Sequence, residues 1–172
     1  DDEVDLPLLL SEAKKYYGNI LMCFGRQIQN VWNAISSLDI KMIAPSHGLI
    51  WRSHIPDILK TYTTWSANNP ETGAMIVYDS MWHSTEIIAK TICEAFADSG
   101  VPARIYDLKA NHISNVIPEV LTSKYVAAGS PTLNNQMMPS VASFLCYLKG
   151  LSPKSNREAF AFGSYGWSGQ SI

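Results

Sequence analysis

Several things are scarce in this 172-residue chain, and each scarcity removes a class of function. Charge is low, at 16% of residues, and the 13 Lys and Arg residues form no cluster against 15 Asp and Glu. A net charge of -2 without a basic patch argues against nucleic acid or an anionic membrane surface as partner. No apolar run approaches a membrane span in length. The three cysteines, Cys23, Cys93 and Cys146, are odd in number and form no Cys-x-x-Cys. That excludes a disulfide framework, an iron–sulfur cluster and a zinc ribbon, and it suits a reducing, cytoplasmic compartment. Neither Gly-x4-Gly-Lys-Ser/Thr nor Gly-x-Gly-x-x-Gly occurs, so the usual triphosphate and dinucleotide fingerprints are missing. The chain opens on Asp1-Asp2-Glu3, without Met or a signal peptide, like the middle of a longer protein.

What is present is a hydrophobic fraction of 47%, enough for a globular core. Its organising stretch is the apolar run 74–79, followed at once by Ser80-Met81-Trp82-His83-Ser84-Thr85 and a helical pattern. A strand, a hydroxyl-rich turn and a helix with no spacer make the first βα unit of an open parallel sheet. In such a unit, backbone N–H groups gather at a helix N-terminus and attract an anion. The turn itself brings three hydroxyls (Ser80, Ser84, Thr85) and no Lys or Arg. Neutral donors and a helix dipole suit a monophosphate, such as that of FMN, better than a triphosphate. The same residues also fit a buried strand with a well-capped helix.

Before this unit, the spacing of Leu6, Leu9, Leu10, Ala13, Tyr16, Tyr17 and Ile20 predicts a helix over 6–22. Gly25 interrupts it, and Ile28, Val31, Trp32, Ile35 and Leu38 mark a second helix. Residues 39–44 read as a short strand, 45–48 as a loop and 55–65 as a helix with Pro56 in its first turn. Residues 68–73, Asn-Asn-Pro-Glu-Thr-Gly, hold turn formers and no apolar residue, so the domain boundary is placed near residue 70. His47 follows the strand at 39–44 and is flanked by Ser46 and Gly48. It could face a cleft as a metal ligand or base, or it could be a loop histidine bonded to a carbonyl. As a lone histidine it fits the second description better.

After residue 84 a helix runs to about Ser99-Gly100. Strands are expected at 103–108, 125–128 and 157–162, with helices at 113–121 and 138–148. Alternation of strand and helix predicts a doubly wound parallel sheet, which binds ligands beyond the C-terminal strand ends where strand order reverses. Three loops leave strands at that edge. The second, Gly129-Ser130-Pro131-Thr132-Leu133-Asn134-Asn135, offers amides suited to a planar ring with carbonyls and ring nitrogens. The third, Gly163-Ser164-Tyr165-Gly166-Trp167-Ser168-Gly169, offers aromatic stacking surfaces between glycines. Each loop alone is weakly specific; together they favour a bound flavin.

These motifs, together with Ala44-Pro45-Ser46-His47-Gly48-Leu49-Ile50-Trp51-Arg52, resemble the flavodiiron proteins in order and spacing over nearly the whole chain. The resemblance implies a metallo-β-lactamase-like domain, its C-terminal part at 1–70, ahead of a flavodoxin-like FMN domain at 71–172. It implies reduction of O2 to water or NO to N2O, with electrons passing from a donor such as rubredoxin through FMN to two non-haem irons. By position, His47 resembles an iron ligand, and residues 80–85 resemble the phosphate loop, with His83 where flavodoxins usually carry Gly. Residues 130–135 and 164–169 resemble the loops flanking the isoalloxazine. The resemblance also implies a head-to-tail homodimer, with Trp82 and Trp167 at its interface. The family's remaining iron ligands would precede Asp1, and its last strand and helix would follow Ile172, so the expectation is a fragment. A metal-free flavodoxin-like electron carrier remains the alternative. A lactamase-like hydrolase would leave the flavin loops without a purpose.

Overall fold

The structure, a computed structural model, describes residues 1–153, 156–167 and 170. Four strands form one wholly parallel sheet: β1 (Gly73–Tyr78), β2 (Ala103–Asp107), β3 (Ser123–Pro131) and β4 (Glu158–Ser164), in the order β2-β1-β3-β4. This is the doubly wound parallel arrangement expected from the alternating pattern, and the flavodoxin-like fold that the resemblance implies. β1 lies between β2 and β3, and its six residues are buried except for the half-buried Gly73. That placement explains a run of apolar residues without alternation.

Helix α1 spans Leu6–Tyr16, α2 Gly25–Ile35 and α3 Ile55–Ala67. In the sheet half, α4 (Ser84–Asp98), the short α5 (Ile113–Val116) with the 3-10 turn Ile117–Leu121, and α6 (Pro139–Leu151) make the crossovers. On one sheet face, Ala74, Ile76, Tyr78, Ala127 and Phe162 pack with Ala89 of α4. On the other, Met75, Val77 and Val126 pack with Ile117, Val120 and Phe144, and with Tyr17 and Met22 from the amino-terminal segment. Residues 68–72 connect α3 to β1, and the chain before them contributes to the same core as the sheet.

The expected helix over 6–22 is broken into α1, a π-helical turn Tyr17–Leu21 and a 3-10 turn Met22–Phe24. Backbone proximity accounts for the glycines here. A Cβ on Gly18 would stand 2.7 Å from the Pro118 Cα, and one on Gly25 2.7 Å from the Ser66 carbonyl oxygen. Gly25 therefore begins α2 where it crosses α3, instead of merely interrupting a helix. The strand expected at 39–44 is not formed. Only Ile43 pairs, as an isolated antiparallel bridge to Trp51 with both hydrogen bonds at 2.9 Å. The chain turns back at Gly48, φ 93°, and among the described residues no second strand lies beside the bridge to extend a ladder. Trp51 joins Ile55 and Ile58 in a separate apolar cluster under α1.

Polar contacts bind the two halves. Glu119, within the 3-10 turn, accepts from Lys14 of α1 and from Arg104 of β2, each at 2.8 Å. Burial pushes its carboxyl up, but the two cations outweigh that and hold it below the usual range. Arg157, at the start of β4, donates to the Val120 carbonyl at 3.0 Å and to Asn68 Oδ1, at the end of α3, at 2.6 Å. Its burial pushes the guanidinium down to about 10. Among the described residues, no helix is long and apolar enough to cross a membrane.

Tyr17 makes the fold sensitive to alkali. Its ring is fully buried between Tyr62 and Trp65, and its hydroxyl has no hydrogen-bond partner. Burial first, then the neighbouring Tyr62, raises the phenol from 10.0 to about 12. The folded state keeps this proton where the unfolded chain has released it. The associated stability is therefore complete below pH 10 and lost as pH rises through about 12. At about 1.4 kcal/mol per unit, roughly 2–3 kcal/mol is at stake. In Tyr17→Phe, stability at about pH 9 should hold or rise, because an unpartnered buried hydroxyl is removed. The drop between about pH 9 and pH 11 should shrink, and urea melts at the two pH values check both.

Candidate functional site

β1 and β3 are neighbours, but the chain leaves β1 toward β2 and leaves β3 toward β4. Strand order reverses between them, which makes their carboxyl ends the edge where an open α/β sheet takes a ligand. The loop after β1 begins with Asp79, which is 3% exposed. Its N–H donates to the Gly129 carbonyl of β3 at 3.1 Å, and its Oδ1 accepts from the Ser80 N–H at 2.6 Å. Oδ2 accepts from the Ser140 hydroxyl at the start of α6. Lys109, from the loop after β2, places its ammonium 3.3 Å from Oδ1 and donates to the Ser80 carbonyl. Asp79 thus fastens three loops to one carboxylate.

Beyond it, Met81, Trp82, His83 and Ser84 are exposed. His83 sits at φ 64°, the left-handed region that favours glycine, immediately before α4. Its Nδ1 lies 2.7 Å from Glu86 Oε2, and Lys90 lies 2.6 Å from Oε1. Hydrogen bonds from His83 first and Lys90 second hold the Glu86 carboxyl down to about 2. Glu86 is therefore engaged at its own side chain, and no side chain caps the α4 N-terminus. The Ser80 hydroxyl is buried and has no partner. Thr85 differs from the expectation of a free donor. It is fully buried, and its hydroxyl lies 2.9 Å from the Ser164 hydroxyl, joining the start of α4 to the end of β4.

Ser130 and Pro131, expected in the second loop, are the last residues of β3, paired with Gly163 and Ser164. The Ser130 hydroxyl accepts from the Met138 N–H at 2.8 Å and donates to the Pro131 carbonyl at 2.9 Å. Thr132 donates its N–H to the Ser164 carbonyl at 2.8 Å, so the second and third loops start side by side. Leu133 and Gln136 close a two-residue hairpin, with Asn134 and Asn135 at φ 50° and 60°. Two consecutive left-handed positions are what asparagine tolerates best after glycine. In the third loop Tyr165 is 62% exposed and Trp167 fully exposed, with Gly166 between them. Ser168 and Gly169 lie outside the described residues.

The structure therefore gathers Ser80 to Thr85, Ser130 to Asn135 and Ser164 to Trp167 along one edge. An uncapped helix N-terminus and an orphan hydroxyl suit a phosphate, and exposed aromatics beside a polar hairpin suit a planar ring. FMN fits these residues. Asp79, Lys109 and Ser140 were not anticipated. The acid at the end of an apolar run is a visible signal for the first, whereas nothing local marks Lys109.

His47 is elsewhere. It is exposed, its ring 5.6 Å from that of Tyr16, at a cavity of about 590 Å³ lined mainly by apolar groups such as Leu8, Leu9, Trp51 and Leu59. Among the described residues, no three His, Cys, Asp or Glu side chains come together as a metal site. A diiron centre does not fit this chain by itself.

Comparison with known proteins accords with this geometry. The flavodoxin family profile matches residues 76–172. The chain is 41% identical over 171 residues to a nitric oxide reductase of Moorella thermoacetica, covering 98% of this chain and 43% of that protein. It superposes on the rubredoxin oxygen:oxidoreductase of Desulfovibrio gigas with a TM-score of 0.92 and 35% identity, over 99% of this chain and 43% of that one. For the flavodiiron protein of Giardia intestinalis the TM-score is 0.93 and the identity 33%, over 99% and 42%. The chain spans about two fifths of the length of these relatives.

Proposed function

The chain belongs to the flavodoxin family over residues 76–172, and on that premise we propose that it binds FMN at the carboxyl edge of its sheet as part of a flavodiiron oxidoreductase. The observation that carries this reading is the uncapped N-terminus of α4 beside the buried, partnerless Ser80 hydroxyl. The N–H groups of the first α4 turn and the Ser80 hydroxyl hold the phosphate. Thr85 acts indirectly, bracing the loop against Ser164. Residues 131–135 meet the polar edge of the ring, and Tyr165 and Trp167 cover its face. When bound, FMN accepts and passes on electrons one at a time; the protein orients it and excludes water.

In the complete protein, residues 1–70 are the end of a metallo-β-lactamase-like domain and 71–172 the flavodoxin-like one. His47 supplies one ligand to a diiron centre whose other ligands lie outside this chain. Electrons come from rubredoxin or a similar donor, and O2 or NO is the substrate. The assembly is a head-to-tail homodimer, with Trp82 and Trp167, 85% and 100% exposed, at the interface. Three free cysteines fit a reducing cytoplasm. The alternative is a metal-free FMN electron carrier.

Iron and flavin per chain in the complete purified protein separate the two. Two irons and one FMN support the oxidoreductase; FMN without iron supports the carrier. In His47→Ala, iron content should fall while the flavin spectrum is unchanged. Full retention of iron would return His47 to a loop residue.

A further inference from the structure

Lys109 stands outside every motif, yet it touches the loop that carries the phosphate reading. We infer that Lys109 is a positioning residue that makes this loop select a phosphorylated flavin over the uncharged parent. The inference rests on the FMN reading above and deepens it.

Two features of Lys109 carry it. The first is charge. The Asp79 carboxylate is almost completely buried one residue before the phosphate-loop hydroxyls, where an unpaired negative charge would repel a phosphate. Ser140 and the Ser80 N–H bond to it but do not neutralise it. The Lys109 ammonium, 3.3 Å from Oδ1, does. The second is peptide orientation. Lys109 donates to the Ser80 carbonyl, which fixes the plane of the Ser80–Met81 peptide. In a trans peptide the C=O and N–H point in opposite directions, so the Met81 N–H is turned away from Lys109. It then adds to the donors facing the anion, beside the orphan Ser80 hydroxyl.

Lys109 is itself held in place. Its N–H donates to Asp107 Oδ1 at 2.8 Å, and the N–H groups of Ala110 and Asn111 donate to the Asp107 carbonyl at 3.1 and 2.9 Å. The Leu108 N–H donates to the Tyr78 carbonyl at 2.9 Å, fixing the end of β2 beside the end of β1. The ammonium is thus delivered from a closed turn. A mobile lysine elsewhere on the surface would give charge without orientation.

The test compares FMN with riboflavin, which lacks only the phosphate, by flavin fluorescence titration of the flavin-free protein. In Lys109→Met, FMN affinity should fall about tenfold, the scale of one charge-assisted hydrogen bond, with riboflavin affinity unchanged within about twofold. Lys109→Arg should keep most of the preference for FMN. Because Lys109→Met leaves Asp79 unpaired, the double variant Asp79→Asn, Lys109→Met guards against simple misfolding. It removes the buried charge but not the need to orient the Ser80–Met81 peptide, so its preference should stay below that of the wild type. A wild-type ratio of affinities in Lys109→Met and in the double variant overturns the inference, as does an equal loss for both flavins. Failure of the wild-type protein to bind FMN overturns the underlying reading instead.

Discussion

Phe144→Ala is expected to lower the free energy of unfolding by about 3–5 kcal/mol, a severe loss for a domain of this size. Phe144 is fully buried in the cluster that joins Tyr17 and Met22 to Met75, Val77 and Val126. Its removal opens a cavity that both parts of the chain line, and neither can close it without moving its backbone. Gly18 packs its backbone against Pro118 in the same region, so collapse of the amino-terminal turn onto the vacated space is blocked. Urea denaturation should show one transition with a lower midpoint and an unchanged slope, because the shared core couples the parts. Ile87→Ala, at a side chain 64% exposed, should change stability by less than about 0.5 kcal/mol. Two separate transitions in the wild type would contradict the shared core.

Ser80→Ala should weaken FMN binding by about 1.5–3 kcal/mol, the worth of a hydrogen bond to a charged group, which is roughly one to two orders of magnitude in Kd. The hydroxyl has no partner in the structure, so its loss carries no folding penalty, and the apoprotein should melt at the wild-type temperature or slightly above. Thr85→Val should behave oppositely. Its hydroxyl pairs with Ser164, so stability should fall while the preference for phosphate is kept. Isothermal titration with FMN, paired with thermal melts, reads both. An unchanged FMN affinity in Ser80→Ala would move the phosphate away from this loop.

The strand–loop–helix at residues 74–85 was legible because β1 is covered on both faces, which removes polar residues from it, and because a βα turn needs small and polar residues. The doubly wound parallel sheet follows from that pattern repeated, and its flavodoxin-like identity came from the resemblance of the loop motifs. Residues 39–44 misled because apolar alternation signals a strand only where a partner strand exists, and here one bridge to Trp51 is all that forms. The π turn at Tyr17–Leu21 was hidden because helical spacing continues through it, with only Gly18 to hint at a close approach. Ser130 and Pro131 looked like loop residues from composition, but pairing with β4 carries the ladder to its end. Thr85 illustrates the limit of residue type as a guide: a hydroxyl beside a helix N-terminus is a donor for a ligand only if no neighbour claims it. Lys109 depends on the ends of β1 and β2 lying side by side, which no local pattern encodes.

The most direct measurement is titration of the flavin-free protein with FMN, followed by quenching of flavin fluorescence. Binding at the carboxyl edge of the sheet requires saturation at one FMN per chain, with Tyr165 and Trp167 stacking on the ring to quench it. Absence of saturable quenching, or saturation that persists unchanged when Ser80 and Lys109 are both replaced, would contradict a flavin site at this edge.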